Sequence, residues 1–369
     1  MMEDLQHEKT AAYHDRDSDL LQRANQVRES RKIHGLDGLT GDLAFIIIHT
    51  EHENQYTAVE ELLRYTGYEL DDAFESDDAR TCVLKCRNSA DVLVQCRLKG
   101  DNPFLAMNRY PKASHVPNTR LETLVFACGD VRRYWEIQRD RGVSFLSEEP
   151  LNLGPCTFIQ TRPSAHTGNS FGVVQWHGGE GRYRHAGCRS LNWKFEMGPM
   201  SWKRKIGTLD HIATRVKAEH RDPAILEFME LSDYDFEFAI YVPDLNSITN
   251  VARLEGARFA PVFTSGIEIN NTGAGSGPTE MFVKNYGARV HHMAFLTDDI
   301  VHVDAALREA GLGFLSDLVG SEEEGIRQSF SAPSPVTLLV NEYICRYGDF
   351  DGFFTQQNVT QLTRATEKQ

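Results

Sequence analysis

The chain repeats itself. Asp130-Val131 heads a stretch that ends in Gly142-Val143-Ser144-Phe145-Leu146-Ser147, and 169 residues later Asp299-Ile300 heads one that ends in Gly311-Leu312-Gly313-Phe314-Leu315-Ser316. An apolar run precedes each copy, Leu124-Val125-Phe126-Ala127 in one and Met293-Ala294-Phe295-Leu296 in the other. The unit reads as strand, capped helix, glycine stop and strand. An aspartate side chain accepts from the free amides of a first helical turn, and a glycine takes the positive φ that ends the helix. A fold assembled from copies of one strand-and-helix unit is therefore expected.

Two further strand starts extend the pattern. Phe45 to His49 leads into Thr57-Ala58-Val59-Glu60-Glu61-Leu62-Leu63, whose apolar spacing is helical. Leu209-Asp210-His211-Ile212-Ala213 leads, through Asp222-Pro223 as cap and first helical residue, into Ala224 to Met229, and Phe236 to Tyr241 alternates as a strand does. Four such units in two halves, 39–180 and 205–357, account for the length and predict an α+β fold. That leaves 1–38 as a charged N-terminal arm with a short helix over 19–27, 181–204 as a linker and 358–369 as a tail.

Charge and cysteine usage remove several classes of partner. The balance of 39 basic and 53 acidic residues gives −14, which argues against nucleic acid and against an anionic membrane surface. The 7 cysteines include no CxxC pair and read as reduced thiols, neither a disulfide frame nor a thiolate zinc site. Glu3, Asp4 and Glu8 stand where an export signal would be basic and then apolar, and apolar runs such as 43–48 have strand length. A cytoplasmic protein is expected.

Three potential metal ligands lie on strand-like segments of the second half: His211, His292 within Val290 to Phe295, and Glu342 within Leu338 to Ile344. Two imidazoles and one carboxylate on one face leave neighbouring coordination positions open, the set used for non-haem Fe(II) and O₂ chemistry and also suited to catalytic zinc. The helical HExxH of zinc hydrolases is absent, which favours iron. The repeat supplies a control. At the offset of 169, the counterparts of His292 and Glu342 are Thr123 and Val173, poor partners for a divalent cation, so one metal in the second half is expected. The segment Asn271 to Gly277 just before the His292 strand reads as a loop at a pocket edge.

Over roughly residues 40–357 the chain resembles 4-hydroxyphenylpyruvate dioxygenase and its relatives in the vicinal oxygen chelate superfamily. The motifs that carry the likeness are Leu209-Asp210-His211-Ile212, the long run from Gly287 through His292-Met293-Ala294-Phe295-Leu296-Thr297-Asp298-Asp299-Ile300, and Gln328-Ser329-Phe330 leading on to Glu342. The resemblance implies two glyoxalase-like domains, each a half-open barrel of paired βαβββ modules, the first without metal. It implies one Fe(II) per chain, held by His211, His292 and Glu342 in the second domain. It also implies substrate contacts from Asn270, Gln328 and Phe330, with Phe350, Phe353 and Phe354 where a C-terminal helix would close the pocket.

The implied activity is oxidative decarboxylation of a small-molecule 2-oxo acid by O₂, with hydroxylation of the same substrate, in a dimer or tetramer, as in aromatic amino acid metabolism. The chain departs from the family pattern at Gly277, where a glutamine is usual, across 348–354, and in a short spacing of 50 residues between His292 and Glu342. Extradiol ring cleavage shares the ligand set. Against it, no histidine lies from Pro278 to Val290 to act as acid and base, and His291, next to His292 on a strand, is expected on the opposite face. A non-catalytic binding protein on the same fold is the third reading.

Overall fold

The computed structural model describes residues 2–268, 276–350 and 352–369. The chain opens with α1 (Met2–His34) and runs through β1 (Thr40–His49), α2 (Gln55–Tyr65), β2 (Glu69–Glu75), β3 (Ala79–Lys85) and β4 (Asp91–Arg97). A second unit follows as β5 (Arg120–Cys128), α3 (Val131–Asp140), β6 (Leu151–Asn152), β7 (Cys156–Gln160) and β8 (Ser170–Trp176), and β9 (Arg189–Ser190) ends the half. The second half repeats the plan with β10 (Ile206–Arg215), α4 (Arg221–Leu231), β11 (Asp235–Val242), β12 (Ser247–Arg253) and β13 (Ala260–Ser265). After α5 (Pro278–Tyr286) come β14 (Arg289–Thr297), α6 (Ile300–Glu309), β15 (Val319–Ser321), β16 (Ile326–Phe330) and β17 (Val340–Arg346), and α7 (Gln356–Ala365) follows.

Each unit is thus βαβββ. Its first strand runs parallel to its own last strand, and the two units of a half join through antiparallel first strands, β1 with β5 and β10 with β14. The second sheet runs β11-β12-β13-β10-β14-β17-β16-β15 and ends in two unpaired edges, leaving a half-open barrel. Central strands buried on both faces need continuous apolar runs rather than alternation. In β1, Ile46 and Ile48 join the main core while Phe45 and Ile47 join a separate cluster on the other face. The caps form as expected: Asp130 accepts from the Arg133 amide and Asp299 from that of His302. Gly142 and Gly311 both take φ +91°, where a side chain would be strained. Helix α4 begins at Arg221 rather than after Asp222, because a preceding turn at Ala218–His220 feeds directly into it.

The two halves share one core and are tied by exchanged contacts. Phe126 stacks on Phe171 and meets Phe228 and Tyr234 of the other half edge-on. Arg120 donates to the Ala288 carbonyl, and its repeat partner Arg289 donates back to the Thr119 carbonyl at 2.9 Å. Ser164 donates to the Glu227 carboxylate, and Ser334 to that of Glu61 at 2.6 Å. The arginine and serine contacts are thus twins with the halves interchanged, and Tyr68 against Phe295 mirrors Tyr234 against Phe126.

Three segments outside the repeat are more ordered than expected. In α1, Leu20, Ala24 and Val27 form a narrow stripe against Ala224, Ile225 and Met229 of α4. Arg31 anchors the end of that helix by donating to the carbonyls of Met229, Ser232 and Tyr234 at 3.1, 2.7 and 3.0 Å. The stripe is only one residue wide on a charged helix, so composition masked it. In 181–204, β9 extends the edge of β2, and Trp193 and Phe195 pack on Tyr56. The expected tail holds most of α7, whose Val359, Leu362 and Thr363 line a cavity together with His292 and Glu342. Among the described residues no helix is long and apolar enough to cross a membrane.

Candidate metal centre

His211, His292 and Glu342 converge from three neighbouring strands, β10, β14 and β17. Glu342 Oε2 lies 3.0 Å from His211 Nε2 and 3.1 Å from His292 Nε2, and all three side chains are buried. Two slips in the β10–β14 ladder shape the surroundings. One leaves Asp210 out of register beside His211, and the other does the same to His291 beside His292. His291 does not point away, as strict alternation would require: its Nδ1 sits 2.8 Å from His292 Nδ1.

These neighbours fix which ring nitrogen of each ligand is free. Asp210 Oδ2 lies 2.8 Å from His211 Nδ1, and Arg346 grips the Asp210 carboxylate through both terminal nitrogens at 2.7 and 3.0 Å. On the other side, His292 Nδ1–H donates to His291 Nδ1, and His291 Nε2–H donates to Gln369 Oε1 at 2.9 Å. Glu342 is held in turn: Gln328 Nε2 donates to its Oε1, and Asn358 of α7 donates to Gln328 Oε1 at 2.8 Å.

This network aims both Nε2 atoms at one carboxylate oxygen. Atoms at that separation need a proton or a cation between them, and the donor set fits a divalent metal with an imidazole–carboxylate support of the usual kind. Burial alone would lower the pKa of His211, yet the Glu342 charge and the Asp210 contact hold it up at about 9, so its Nε2 keeps a proton toward Glu342 that a divalent ion would displace. Burial opposes the Glu342 charge, but His211 and His292 hold its carboxyl well below the usual range. Burial lowers His292 and keeps it neutral as a ligand must be.

The other expected site residues divide. Gln328, Phe330 and Phe354 line the cavity beside the triad, with Phe330 stacked obliquely 4.8 Å from the His292 ring. Both ends of the Gln328 amide are engaged, so in the structure it steadies Glu342. Phe353 packs on the His211 ring at 5.4 Å and into a separate cluster with Ala213 and Val262. Phe350 lies elsewhere, against Ala294, Ile326 and Ile344. Asn270 and most of the 271–277 loop fall outside the described residues. Asp210, Arg346 and Asn358 were not singled out from the sequence. Asp210 could have been, as a carboxylate adjoining a ligand histidine.

Strand register also corrects the repeat comparison. Glu342 pairs opposite Ala294, and the equivalent pair in the first half is Gly172 with Val125, so the counterpart of Glu342 is Gly172, not Val173. One residue is gained between α6 and β16 relative to the first half, which shifts the offset. The conclusion becomes firmer. The counterparts of the triad are Phe45, Thr123 and Gly172; Phe45 packs against Trp176 and Tyr183, and Thr123 donates to Gln160 at 2.8 Å. A Cβ on Gly172 would come within 2.9 Å of Val125, so no carboxylate fits there.

No protein-family model matches the chain, and no curated protein does. Solved structures do. A triple mutant of 4-hydroxymandelate synthase from Streptomyces coelicolor aligns with TM-score 0.69 at 18% identity, over 89% of this chain and 99% of that one. A xylose isomerase-like TIM barrel/4-hydroxyphenylpyruvate dioxygenase fusion protein aligns with TM-score 0.62 at 14% identity, over 90% of this chain and 53% of the fusion. The fold is that of the vicinal oxygen chelate proteins. At such identities the likeness extends to architecture, and the chemistry must be argued from the His211–His292–Glu342 cluster itself.

Proposed function

We propose that the chain is an Fe(II)-dependent dioxygenase of the 4-hydroxyphenylpyruvate dioxygenase type, which oxidatively decarboxylates a 2-oxo acid and hydroxylates the same molecule. The observation that carries this reading is the triad, with both Nε2 atoms turned toward Glu342 by Asp210 and His291. His211, His292 and Glu342 would hold one iron, which supplies neighbouring open positions for substrate and O₂. The redox balance needs no outside reductant. Loss of CO₂ from the 2-oxo acid provides two electrons and the C–H bond two more, so one oxygen atom enters the new carboxylate and the other the hydroxyl.

The protein's part is orientation and exclusion of water. The Arg346–Asp210 pair keeps His211 turned, and Asn358 through Gln328 keeps one Glu342 oxygen occupied so that the other faces the metal position. Phe330, Phe354, Val359 and Leu362 form an apolar wall beside it. The first half serves as scaffold in this reading, and a soluble homo-oligomer in the cytoplasm remains our expectation. His291 bears on extradiol cleavage, since it lies next to the site. It disfavours that reading, because its Nδ1 is committed to His292 and it does not line the cavity.

The test is anaerobic Fe(II) reconstitution followed by parallel measurement of O₂ uptake and CO₂ release over a panel of aromatic and aliphatic 2-oxo acids, with His211→Ala as control. Equimolar uptake and release, absent in the control, is the expected result. No uptake above the control across the panel refutes the dioxygenase; ring opening of a catechol would favour the extradiol alternative.

A further inference from the structure

Arg215 ends β10, four residues beyond His211, and alternation places the two side chains on one face with Cα atoms about 13 Å apart. It is 4% exposed. Its Nη2 donates to Thr366 Oγ1 at 2.8 Å, and its guanidinium lies 4.9 Å from the Phe282 ring centroid. Its Nη1 is buried and has no hydrogen-bond partner among the described residues. Thr264, paired with Arg215 in the β10–β13 ladder, also has a buried hydroxyl without a partner among them. Both residues line the cavity that His292 and Glu342 also line.

No carboxylate among the described residues pairs with Arg215. The one carboxylate in the cavity wall is Glu342, already shared by two histidines and Gln328. Burial pushes the guanidinium down to about 9, with no neighbouring anion to offset it. The first half shows what a self-sufficient version looks like. By strand register the counterpart of Arg215 is His49 and that of His291 is Glu122. Glu122 is paired by both terminal nitrogens of Arg97 and lies 3.5 Å from His49. The first half therefore carries its own buried anion. The second half has a histidine in place of that carboxylate and a buried cation without a partner anion among the described residues, an arrangement that is costly to maintain for packing alone.

We infer that Arg215, with Thr264 beside it, anchors a second acidic group of the substrate, so that the compound bound at the metal centre is a 2-oxo diacid. This rests on the 2-oxo acid reading given above. One acid group and the keto oxygen lie at the triad, and the distal carboxylate accepts from Arg215 Nη1 and Thr264 Oγ1.

The experiment is calorimetric titration of the Zn(II)-loaded full chain, which cannot turn over, with the matched probes 2-oxoglutarate and 2-oxopentanoate. A charge-assisted hydrogen bond in a buried site predicts a preference for the diacid of about tenfold or more. Arg215→Gln should abolish that preference while leaving 2-oxopentanoate affinity and zinc content unchanged. His291→Glu, which restores the first half's internal anion, should abolish it as well and serves if the first variant does not fold. Equal affinity of the two probes in the wild type, or a preference that survives either substitution, overturns the Arg215 anchor alone. Binding of neither probe to zinc-loaded protein would instead refute the 2-oxo acid reading, and the anchor with it.

Discussion

Replacing Asp210 tests whether the triad is a metal site built in two layers. Asp210 makes one charge-assisted contact to His211 at 2.8 Å and is itself clamped by Arg346. Asp210→Asn keeps an oxygen for the Nδ1 proton but removes the charge, and it leaves the Arg346 guanidinium with a weaker acceptor. Asp210→Ala removes both. Losing a hydrogen bond to a charged group costs about 1.5–3 kcal/mol, and every 1.4 kcal/mol is a factor of ten in affinity. Fe(II) affinity should therefore fall roughly tenfold in the asparagine variant and roughly a hundredfold in the alanine variant, within the range found for such supporting residues. Anaerobic competition against a chromophoric chelator measures both values, with circular dichroism to check that the fold is retained. If both variants bind iron as the wild type does, Asp210 does not orient His211 for a metal. If asparagine costs as much as alanine, the charge rather than the orientation accounts for the effect.

Three other outcomes follow from the same contacts. Asn358→Ala frees Gln328 and should weaken metal binding by less than about tenfold while leaving the triad in place, as the same competition assay would report. Burial raises the Glu122 carboxyl to about 6 against an ordinary 4.5, with Arg97 opposing the rise. The folded state then binds the extra proton between those values, so this group's contribution to stability falls as pH rises from 4.5 to 6, by about 2 kcal/mol. Urea unfolding of wild type and Glu122→Gln across that window should show the difference changing with this sign, and a flat difference would contradict it. Arg31→Ala strands three buried carbonyls and should destabilise the chain by about 2–4 kcal/mol in the same assay.

The repeat made the architecture legible before any coordinates, because a capped helix with a glycine stop leaves the same local mark wherever it recurs. The candidate ligands stood out for a related reason: His211, His292 and Glu342 sit in apolar strands where a polar residue needs a purpose, and the structure brings them together. What stayed hidden depends on register and on distant partners. The slip that brings His291 beside His292 cannot be read from alternation, and the gained residue that makes Gly172 the counterpart of Glu342 defeats a constant offset. Asn358 reaches the site from a helix beyond the repeat, and Arg215 gains its meaning only once Thr264 and Glu122 can be placed around it or its twin.

The exchanged contacts between the halves have the form that twofold symmetry imposes on two identical subunits, where residue i meets j and j meets i. The seam of Arg120 with Ala288, Arg289 with Thr119, and the paired serine–glutamate braces is in that sense a homodimer interface carried within one polypeptide. Covalent linkage releases the two copies from having to remain alike. One can let Phe45 occupy its pocket and keep Glu122 as an internal counter-ion while the other holds ligands and an unpaired cation. A polypeptide cut down to the second half would present Tyr234 and Arg289 to solvent and would be expected to pair with its own copy.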